Sequence, residues 1–323
     1  MVKYLGLVLA VIGLAVGVWL IGRAGWHDVV AGVRGVGVAG FAVLMGWTAA
    51  NLLLLGAGWL AVAPGVARRQ LGTFAWARLA REAATDVLPF SQFGGLVVGA
   101  RTAIAGGIRP ALVYASLIAD QTTELAAQLV FTLFGVAMLA LKLGRAGGAG
   151  GSEIVPLVAG GVLAMGGIML LFVVAQRPML AVAEGLAARL LPGSVATMAA
   201  LRGELSAIYA APLRVITSFL CHFAAWVFSA GGAWVALRLM GAAVPLVDVL
   251  TIEALVFTLR TVAFAIPGGV GVQEAAYLLL GPLFGLSPGA ALALSLVKRA
   301  RDIAVGVPGV LLWQWAEWRR ASS

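Results

Sequence analysis

Charged side chains that could bind an ion or a polar group occur inside long apolar runs of this 323-residue chain. Asp120 and Glu124 are spaced i, i+4, so on a helix they share one face. A charge at the centre of a membrane span costs about 2.5–3.5 kcal/mol, so one that persists usually faces the protein interior or a wet cavity. Two carboxylates this close can share a proton, which suits a proton- or cation-coupled site.

A basic counterpart of this pair lies near the C-terminus. At a comparable depth, the last long apolar run carries Lys298, Arg299, Arg301 and Asp302. Lys298 and Asp302 are again spaced i, i+4 and can pair, which leaves Arg301 to face elsewhere. If the two runs pack together, an acidic helix face meets a basic one. The charges then either line a site or form ion pairs that hold two helices in register, and both interpretations stay open.

Two further sets of charges flank breaks made of proline and paired glycine. In the first set, Arg101 follows Gly94-Gly95, and in the second, Arg260 and Glu274 lie on either side of Gly268-Gly269. Such breaks free backbone groups, which are tolerated at membrane depth only when they are buried in protein or line a water-filled cavity. A helix that begins after each break would offer free N–H groups to an anionic headgroup, and Arg101 would add a bidentate phosphate contact.

The elements that hold these charges are predicted to be membrane helices. The chain is 62% hydrophobic and 11% charged, whereas soluble domains are about half apolar and a quarter charged. A span takes about 20 residues, and six runs are long enough, namely 4–22, 38–63, 110–142, 154–175, 213–239 and 288–316. The regions 71–108 and 245–286 are apolar but broken, so each predicts a re-entrant hairpin. The predicted fold is therefore an all-α polytopic membrane protein, with 1–323 forming a single transmembrane domain.

Arginine placement predicts the orientation of this domain. Positive charge in short connections marks the cytoplasmic side of membrane proteins, and here it lies at Arg68-Arg69, in 176–214 and at Arg319-Arg320. Both termini are therefore expected in the cytoplasm, and 178–211 is expected to be a cytoplasmic amphipathic connection. Because the net charge of +9 is spread over these connections rather than gathered in one arm, nucleic acid is not an expected partner.

The two broken regions also begin a weak internal repeat, 71–142 and 245–316. Each half reads apolar-Pro, Gly-Gly, Gly-apolar-x-Pro and then a charged span, in which Asp120 matches Lys298 in position. The spacing between the second and third of these elements differs by four residues between the halves. An inverted-topology repeat, whose broken helices mark a site near the membrane midplane, accounts for the pattern. The alternative is that glycine and proline are simply common in membrane helices.

Motifs of soluble enzyme chemistry do not occur in the sequence. It contains no Gly-x-Ser-x-Gly, no His-Glu-x-x-His and no phosphate-binding glycine loop, and Cys221 is its single cysteine. No catalytic residue, metal site or cofactor is therefore predicted, and the chain is not expected to be an enzyme.

Two of the runs described above resemble the signatures of a known family. The run 88–101 is Leu-Pro-Phe-Ser-Gln-Phe-Gly-Gly-Leu-Val-Val-Gly-Ala-Arg, and the run 266–274 is Ile-Pro-Gly-Gly-Val-Gly-Val-Gln-Glu. Together with the tail 293–302, they resemble flippase-like membrane proteins related to the transmembrane domain of lysylphosphatidylglycerol synthase/flippase. Within this family, the sequence looks most like the hopanoid-associated membrane proteins of HpnL type. Leu96 stands where members of the family usually carry an acid, so no carboxylate role carries over to it.

The resemblance implies a lipid translocase or lipid-transport component of the bacterial inner membrane, with hopanoid-related lipids among its candidate substrates. Residues 1–323 include no lysyl-transferring domain, so aminoacyl-lipid synthesis is not expected. Two alternatives stay open. One is a non-transporting scaffold for lipid-biosynthesis enzymes, whose function would depend on loops such as 178–211, and the other is an intramembrane lipid-modifying enzyme.

A lipid headgroup is accordingly expected between the two hairpin tips. The predicted substrate-binding residues are Arg101, Arg301, Gly94, Gly95, Gly268, Gly269 and Glu274. The predicted counter-charges or ion- and proton-coupling residues are Asp120, Glu124, Lys298, Asp302 and Arg260. Replacing Arg101 or Glu274 by alanine is then expected to abolish lipid transport.

Overall fold

The structure of the chain, a computed structural model, describes residues 26–87, 91–146, 195–262 and 271–322, with scattered positions between 160 and 178. Every regular element in these ranges is helical, which confirms the all-α fold class. The α-helices are α1 (Trp26–Ala61), α2 (Leu71–Val87), α3 (Ser91–Ala105), α4 (Pro110–Ala146), α5 (Val195–Tyr209), α6 (Pro212–Leu239), α7 (Leu246–Val262), α8 (Val272–Leu280) and α9 (Pro288–Ala321). Short 3-10 turns, Arg68–Gln70 and Gly281–Phe284, precede α2 and follow α8.

Three helices in the described ranges are long and apolar enough to cross a membrane: Val29–Ala61, Pro110–Gly144 and Pro212–Leu239. They correspond to the predicted spans 38–63, 110–142 and 213–239, and α9 covers the predicted span 288–316. The run 4–22 lies outside the described residues, and 154–175 is described only at scattered positions. The membrane class is therefore confirmed, while the total of six spans stays a prediction.

The two broken regions form pairs of short helices. α2 and α3 have 17 and 15 residues, and α7 and α8 have 17 and 9, whereas a full span takes about 20. The helices of each pair pack against one another, and the connections 88–90 and 263–270 lie outside the described residues. Short paired helices are what the hairpin prediction requires, and the membrane face that each pair enters stays a prediction.

α1 bends at Gly37, whose φ of 60° lies in the left-handed region that favours glycine. Before the bend, Gly32 packs so tightly on α9 that a Cβ at position 32 would lie 2.6 Å from the Ala293 Cβ. Beyond the bend, the Trp47 ring stacks on Phe228 of α6 with ring centroids 4.2 Å apart. Its Nε1–H donates to the Phe228 carbonyl at 2.7 Å. The bend thus lies between a contact with α9 and a contact with α6.

The hydrophobic core consists of two main clusters, and each includes one of the short helix pairs. The first buries Trp59 and Phe74 where α1 and α2 meet α3, α4 and α5. The second buries Tyr277 among residues of α1, α4, α6, α7 and α9. α9 also reaches α2, because Gly309 lies so close that a Cβ there would be 2.8 Å from the Ala83 Cβ. Each helix pair is therefore held by its own part of the core.

Candidate functional site

Buried charges of α2, α4 and α6 form one polar group, here called the N-terminal charge cluster: Arg78, Arg81, Asp120, Glu124 and His222. The Arg78 guanidinium contacts Glu124 through both terminal nitrogens, with Nη1 donating to Oε2 at 2.9 Å. Arg81 Nη2 donates to the same Oε2 at 3.1 Å. Both arginines also donate to Asp120 Oδ2 at 3.4 Å. Arg78 also pairs with the partly exposed Glu82 of its own helix at 2.9 Å. Two cations thus contact three carboxylates, in an interior where an unpaired charge would be costly.

His222 connects this cluster to α6. Its Nε2 lies 2.8 Å from Asp120 Oδ1, and its ring packs on α1 so closely that a Cβ on Gly58 would be 3.1 Å from Nε2. The Nδ1 atom of His222 is buried and has no hydrogen-bond partner among the described residues. Asp120 therefore ties α4 to both α2 and α6.

The acidic face of α4 meets α2 rather than α9. Asp120 and Glu124 both pair with Arg78 and Arg81, so the contact with the basic stretch of α9 that the sequence allows is not the one that forms. The physical reason is that α9 packs mainly against α1, α2 and α8, whereas the arginine side chains of α2 reach the carboxylates of α4. The i, i+3 spacing of Arg78 and Arg81, which puts both on one helix face, is the signal in the sequence for this partner.

A second group of charges joins α7, α8 and α9 and is here called the C-terminal charge cluster. Its members are Glu253, Arg260, Glu274, Tyr277, Lys298, Arg299, Arg301 and Asp302. Lys298 Nζ donates to Glu253 Oε2 at 2.5 Å and to the Tyr277 hydroxyl at 2.7 Å. The Tyr277 hydroxyl donates in turn to the other Glu253 oxygen. Because all three side chains are buried, this closed set of bonds fixes α9 against both helices of the second pair.

Asp302 is paired with its neighbour in sequence. Arg301 donates to Asp302 Oδ1 from Nη2 at 2.7 Å and from Nε at 3.1 Å. The predicted Lys298–Asp302 pair is therefore wrong. Lys298 is instead satisfied in the buried interface of α9 with α7 and α8, where Glu253 reaches it.

Glu274 holds the N-terminus of α8. Its Oε2 accepts from the backbone N–H of Gly271, the N-cap residue, at 2.8 Å. Its Oε1 accepts from the Ser295 hydroxyl and from Arg299 Nη2, each at 3.1 Å. Gly268-Gly269, predicted to bind substrate, lies outside the described residues. Glu274 thus starts α8 and attaches it to α9.

Arg260 differs from the other cations of this cluster in its hydrogen-bond partner. It lies in the last turn of α7, and its Nη1 donates to the neutral Gln273 Oε1 at 2.9 Å. Gln273 Nε2 donates onward to Ser295 Oγ at 2.8 Å. Arg260 interacts electrostatically with Asp302, but in the described part of the chain it forms no salt bridge. Its positive charge is therefore the least closely matched in the cluster.

Among the residues that the structure describes, the C-terminal charge cluster carries one more cation than carboxylate. Arg260, Lys298, Arg299 and Arg301 face Glu253, Glu274 and Asp302. Lys298 and Arg301 also line a cavity of about 20 Å³ between α9, α1 and α6, which is room for about one water molecule. An anionic group beside the partly exposed Arg301, at the edge of this cavity, would balance the charge.

Arg101 lies away from the C-terminal charge cluster. Its side chain is 60% exposed and pairs with Glu317 of α9 at 2.6 Å. The stretch of α9 between Arg301 and Glu317 corresponds to about 24 Å at the helical rise of 1.5 Å per residue. Glu274 contacts Arg299, so it lies near the Arg301 end of that stretch and far from Glu317. The structure therefore brings Glu274 and Arg301 into one cluster but leaves Arg101 apart from both.

Gly94 and Gly95 lie inside α3, which begins at Ser91, so the prediction of a helix beginning after this glycine pair is wrong. Gly95 packs against α2, where a Cβ would be 2.1 Å from Thr85 Oγ1 and 2.8 Å from the Arg81 carbonyl oxygen. In the described part of the chain, no atom of another helix turn comes within 4 Å of the Cβ position of Gly94. The physical reason is that α2 and α3 pack side by side, and only a residue without a side chain fits at position 95.

Several polar residues of the two clusters were not among the predicted site residues. Glu253 could have been found from the sequence, since it is a carboxylate inside an apolar run. The uncharged partners Gln273 and Tyr277 have no such feature in the sequence. The residues concerned are Arg78, Arg81, His222, Glu253, Gln273 and Tyr277. Among the residues that the structure describes, no three His, Cys, Asp or Glu side chains are grouped as metal ligands.

Comparison with known proteins gives one finding. The family model described as the lysylphosphatidylglycerol synthase TM region matches residues 5–309. No curated protein and no solved structure matches the chain. The matched range includes both charge clusters and all nine helices named above, apart from the last residues of α9.

Proposed function

Because the chain belongs to the lysylphosphatidylglycerol synthase TM region family, we propose that it moves a lipid with a polar or anionic headgroup across a membrane. The proposed setting is the bacterial inner membrane, with both termini in the cytoplasm and hopanoid-related lipids among the candidate substrates. The C-terminal charge cluster supports this function most directly, because its described residues include one more cation than carboxylate.

Arg260 and Arg301 are the proposed headgroup ligands. Arginine binds phosphate and carboxylate groups through paired N–H donors. Arg260 donates to the neutral Gln273, so an anionic group can approach it without displacing a carboxylate. Arg301 keeps 21% of its side chain exposed and lines the cavity beside Lys298. An anion bound between these residues would neutralise the excess positive charge, which is costly in a buried site.

The other members of the C-terminal charge cluster are proposed to hold the site in shape. Glu253 and Tyr277 fix Lys298, and Glu274 fixes the start of α8 together with Arg299. Glu274 is therefore a positioning residue in this proposal. Replacing it by alanine would still reduce transport, because α8 would lose the bond at its N-cap and the contacts of Glu274 with Ser295 and Arg299 of α9.

The N-terminal charge cluster is proposed to be a set of counter-charges between helices. Asp120 and Glu124 are already engaged by Arg78 and Arg81. Since Arg78 also pairs with Glu82, three carboxylates face these two arginines, and the cluster offers an anion no excess positive charge. Its contribution to transport is then the position of α2 and α6 against α4.

Translocation in liposomes tests the proposal. The purified protein is reconstituted with fluorescent lipids that carry anionic, zwitterionic or cationic headgroups, and the rate at which each reaches the opposite leaflet is measured. The wild type is expected to move the anionic lipid fastest. Arg260→Gln is expected to slow this lipid about tenfold or more, which corresponds to the loss of one charge-assisted hydrogen bond.

Two control variants match this substitution. Arg238→Gln makes the same change in α6, where the arginine is exposed and lies over the Trp234 ring, and it is expected to leave the rate unchanged. Arg101→Gln removes an exposed ion pair, which contributes little, and it is expected to have a small effect. Equal rates for wild type and Arg260→Gln would exclude Arg260 from the site. Failure to move any headgroup class, with and without a proton gradient, would contradict transport and favour the scaffold hypothesis.

A further inference from the structure

An open apolar groove lies between α1 and α9. Its volume is about 540 Å³, within the range of about 300–1,000 Å³ found for ligand pockets. Its lining includes Val33, Gly37 and Phe41 of α1 and Leu296, Val297 and Ala300 of α9. Since these residues contribute no polar side chain, the groove matches hydrocarbon rather than a polar ligand.

The groove lies at the bend of α1. Gly37 has a φ of 60°, and no described residue outside its own helix turn comes within 4 Å of the position its Cβ would take. Packing therefore does not require glycine at position 37, whereas the left-handed backbone conformation favours it. Just after the bend, Val38 is 90% exposed. Glycine at position 37 therefore allows the backbone of α1 to bend, and this bend shapes the groove beside α9.

The groove adjoins the cationic cavity described above. Val297 lines both of them. Ala300 lines the groove, and its neighbour in sequence, Arg301, lines the cavity together with Lys298. An apolar groove and a cationic site therefore lie side by side on α9, an arrangement that complements a molecule with a hydrocarbon chain and an anionic headgroup.

We infer that this groove holds an acyl chain of an anionic lipid whose headgroup lies at Arg301, and that it is the lateral entrance to the headgroup site. The inference rests on the proposed function, because it assumes that the C-terminal charge cluster binds the headgroup. The apolar run 4–22 of the chain itself is another possible occupant, but it carries no charge. It would fill the groove with apolar side chains but would bring no negative charge to the cationic cavity. An anionic lipid would supply both the hydrocarbon and the negative charge.

Photo-crosslinking tests the occupant of the groove. A benzophenone amino acid replaces Ala300 in the full chain, which is reconstituted in vesicles of phosphatidylglycerol and phosphatidylethanolamine. Adducts at position 300 are expected to be enriched about tenfold in the anionic lipid over its share of the vesicle, the effect of one charge-assisted hydrogen bond. Arg301→Gln is expected to remove this enrichment.

The same photoreactive residue at position 224 provides the control. Ala224 is an exposed alanine of α6 that does not line the groove, so its adducts are expected to follow the bulk lipid composition. If the adducts at position 300 also follow the bulk composition, or join to residues 4–22, the inference is overturned.

A pair of tryptophan variants separates this inference from the proposed function. Ala300→Trp fills the groove and is expected to slow transport of the anionic lipid about tenfold, while Ala224→Trp is not. Comparable elution and unfolding midpoints of the two variants show that both are folded. If Ala300→Trp transports at the wild-type rate, the groove is not the entrance, and the proposed function stands. If the wild type moves no lipid but crosslinking at position 300 still selects the anionic lipid, the proposed function fails, and the groove remains a lipid site.

Discussion

Asp120 illustrates how a carboxylate inside a membrane helix is stabilised by several partners at once. It is fully buried, it accepts from Arg78 and Arg81, and His222 Nε2 lies 2.8 Å from its other oxygen. Transferring such a charge out of water is costly, and the surrounding donors offset that cost. Removing one partner is then more damaging than the net contribution of the pair suggests, because the remaining charges stay buried.

Asp120→Asn is therefore expected to destabilise the protein by about 3–5 kcal/mol, the usual effect of removing one partner from a buried ion pair. The measurement is the free energy of unfolding in detergent, followed by circular dichroism. Asp248→Asn is the matched control, since Asp248 pairs with Lys142 at 3.0 Å in a partly exposed position. It is expected to cost less than about 1 kcal/mol, as surface ion pairs do. If the two variants lose equal free energy of unfolding, burial does not determine how much these ion pairs contribute to stability.

At the scale of helices, the contact between α2 and α3 explains a glycine pair that resembles a binding motif. Gly94 and Gly95 are adjacent in sequence, but only Gly95 faces α2 closely enough to exclude a side chain. In the sequence they form one Gly-Gly pair, and the same role is predicted for both. Which of them is needed for packing depends on the direction each faces once α3 lies against α2.

Gly95→Ala is expected to destabilise the protein by about 1–3 kcal/mol, since an added methyl group overpacks the contact with Thr85 and the Arg81 carbonyl. Gly94→Ala meets no atom of another helix among the described residues, and it is expected to be neutral or to stabilise the helix by up to about 1 kcal/mol. Unfolding in detergent measures both effects. If instead both variants lose transport while keeping wild-type stability, the headgroup role predicted for this glycine pair would be supported over packing.

For the molecule as a whole, the two charge clusters occupy corresponding parts of the chain. In each, the long helix that follows a short helix pair forms a buried ion pair with the first helix of that pair, Asp120 with Arg78 and Lys298 with Glu253. The signs of the charges are exchanged between the two clusters. An internal repeat accounts for this correspondence, and the repeat itself stays a prediction.

The orientation of the molecule is testable with reporter fusions. A fluorescent protein fused after residue 323 is expected to be fluorescent, and alkaline phosphatase at the same place inactive, because Arg319 and Arg320 favour the cytoplasmic side. As α6 is expected to cross the membrane from a cytoplasmic start, phosphatase fused after residue 243 is expected to be active. Active phosphatase at the C-terminus would reverse the predicted topology.

The sequence by itself determined the membrane class and much of the helix layout. The predicted spans 110–142 and 213–239 differ from α4 and α6 by a few residues at their ends, because hydropathy and proline placement are local properties. It also located charges such as Asp120, Glu124 and Lys298 that prove to be buried or nearly so, since a charge inside an apolar run is visible without knowing its neighbours.

Only the tertiary structure decided which charge meets which. Lys298 engages Glu253 and Tyr277 rather than the nearby Asp302, and Arg101 pairs with Glu317 far along α9 from Arg301. The lateral groove beside Ala300 also depends on how the bend of α1 lies against α9. These outcomes depend on which helices become neighbours and on how each is rotated about its axis. The partners are distant in sequence, so no local pattern contains that information.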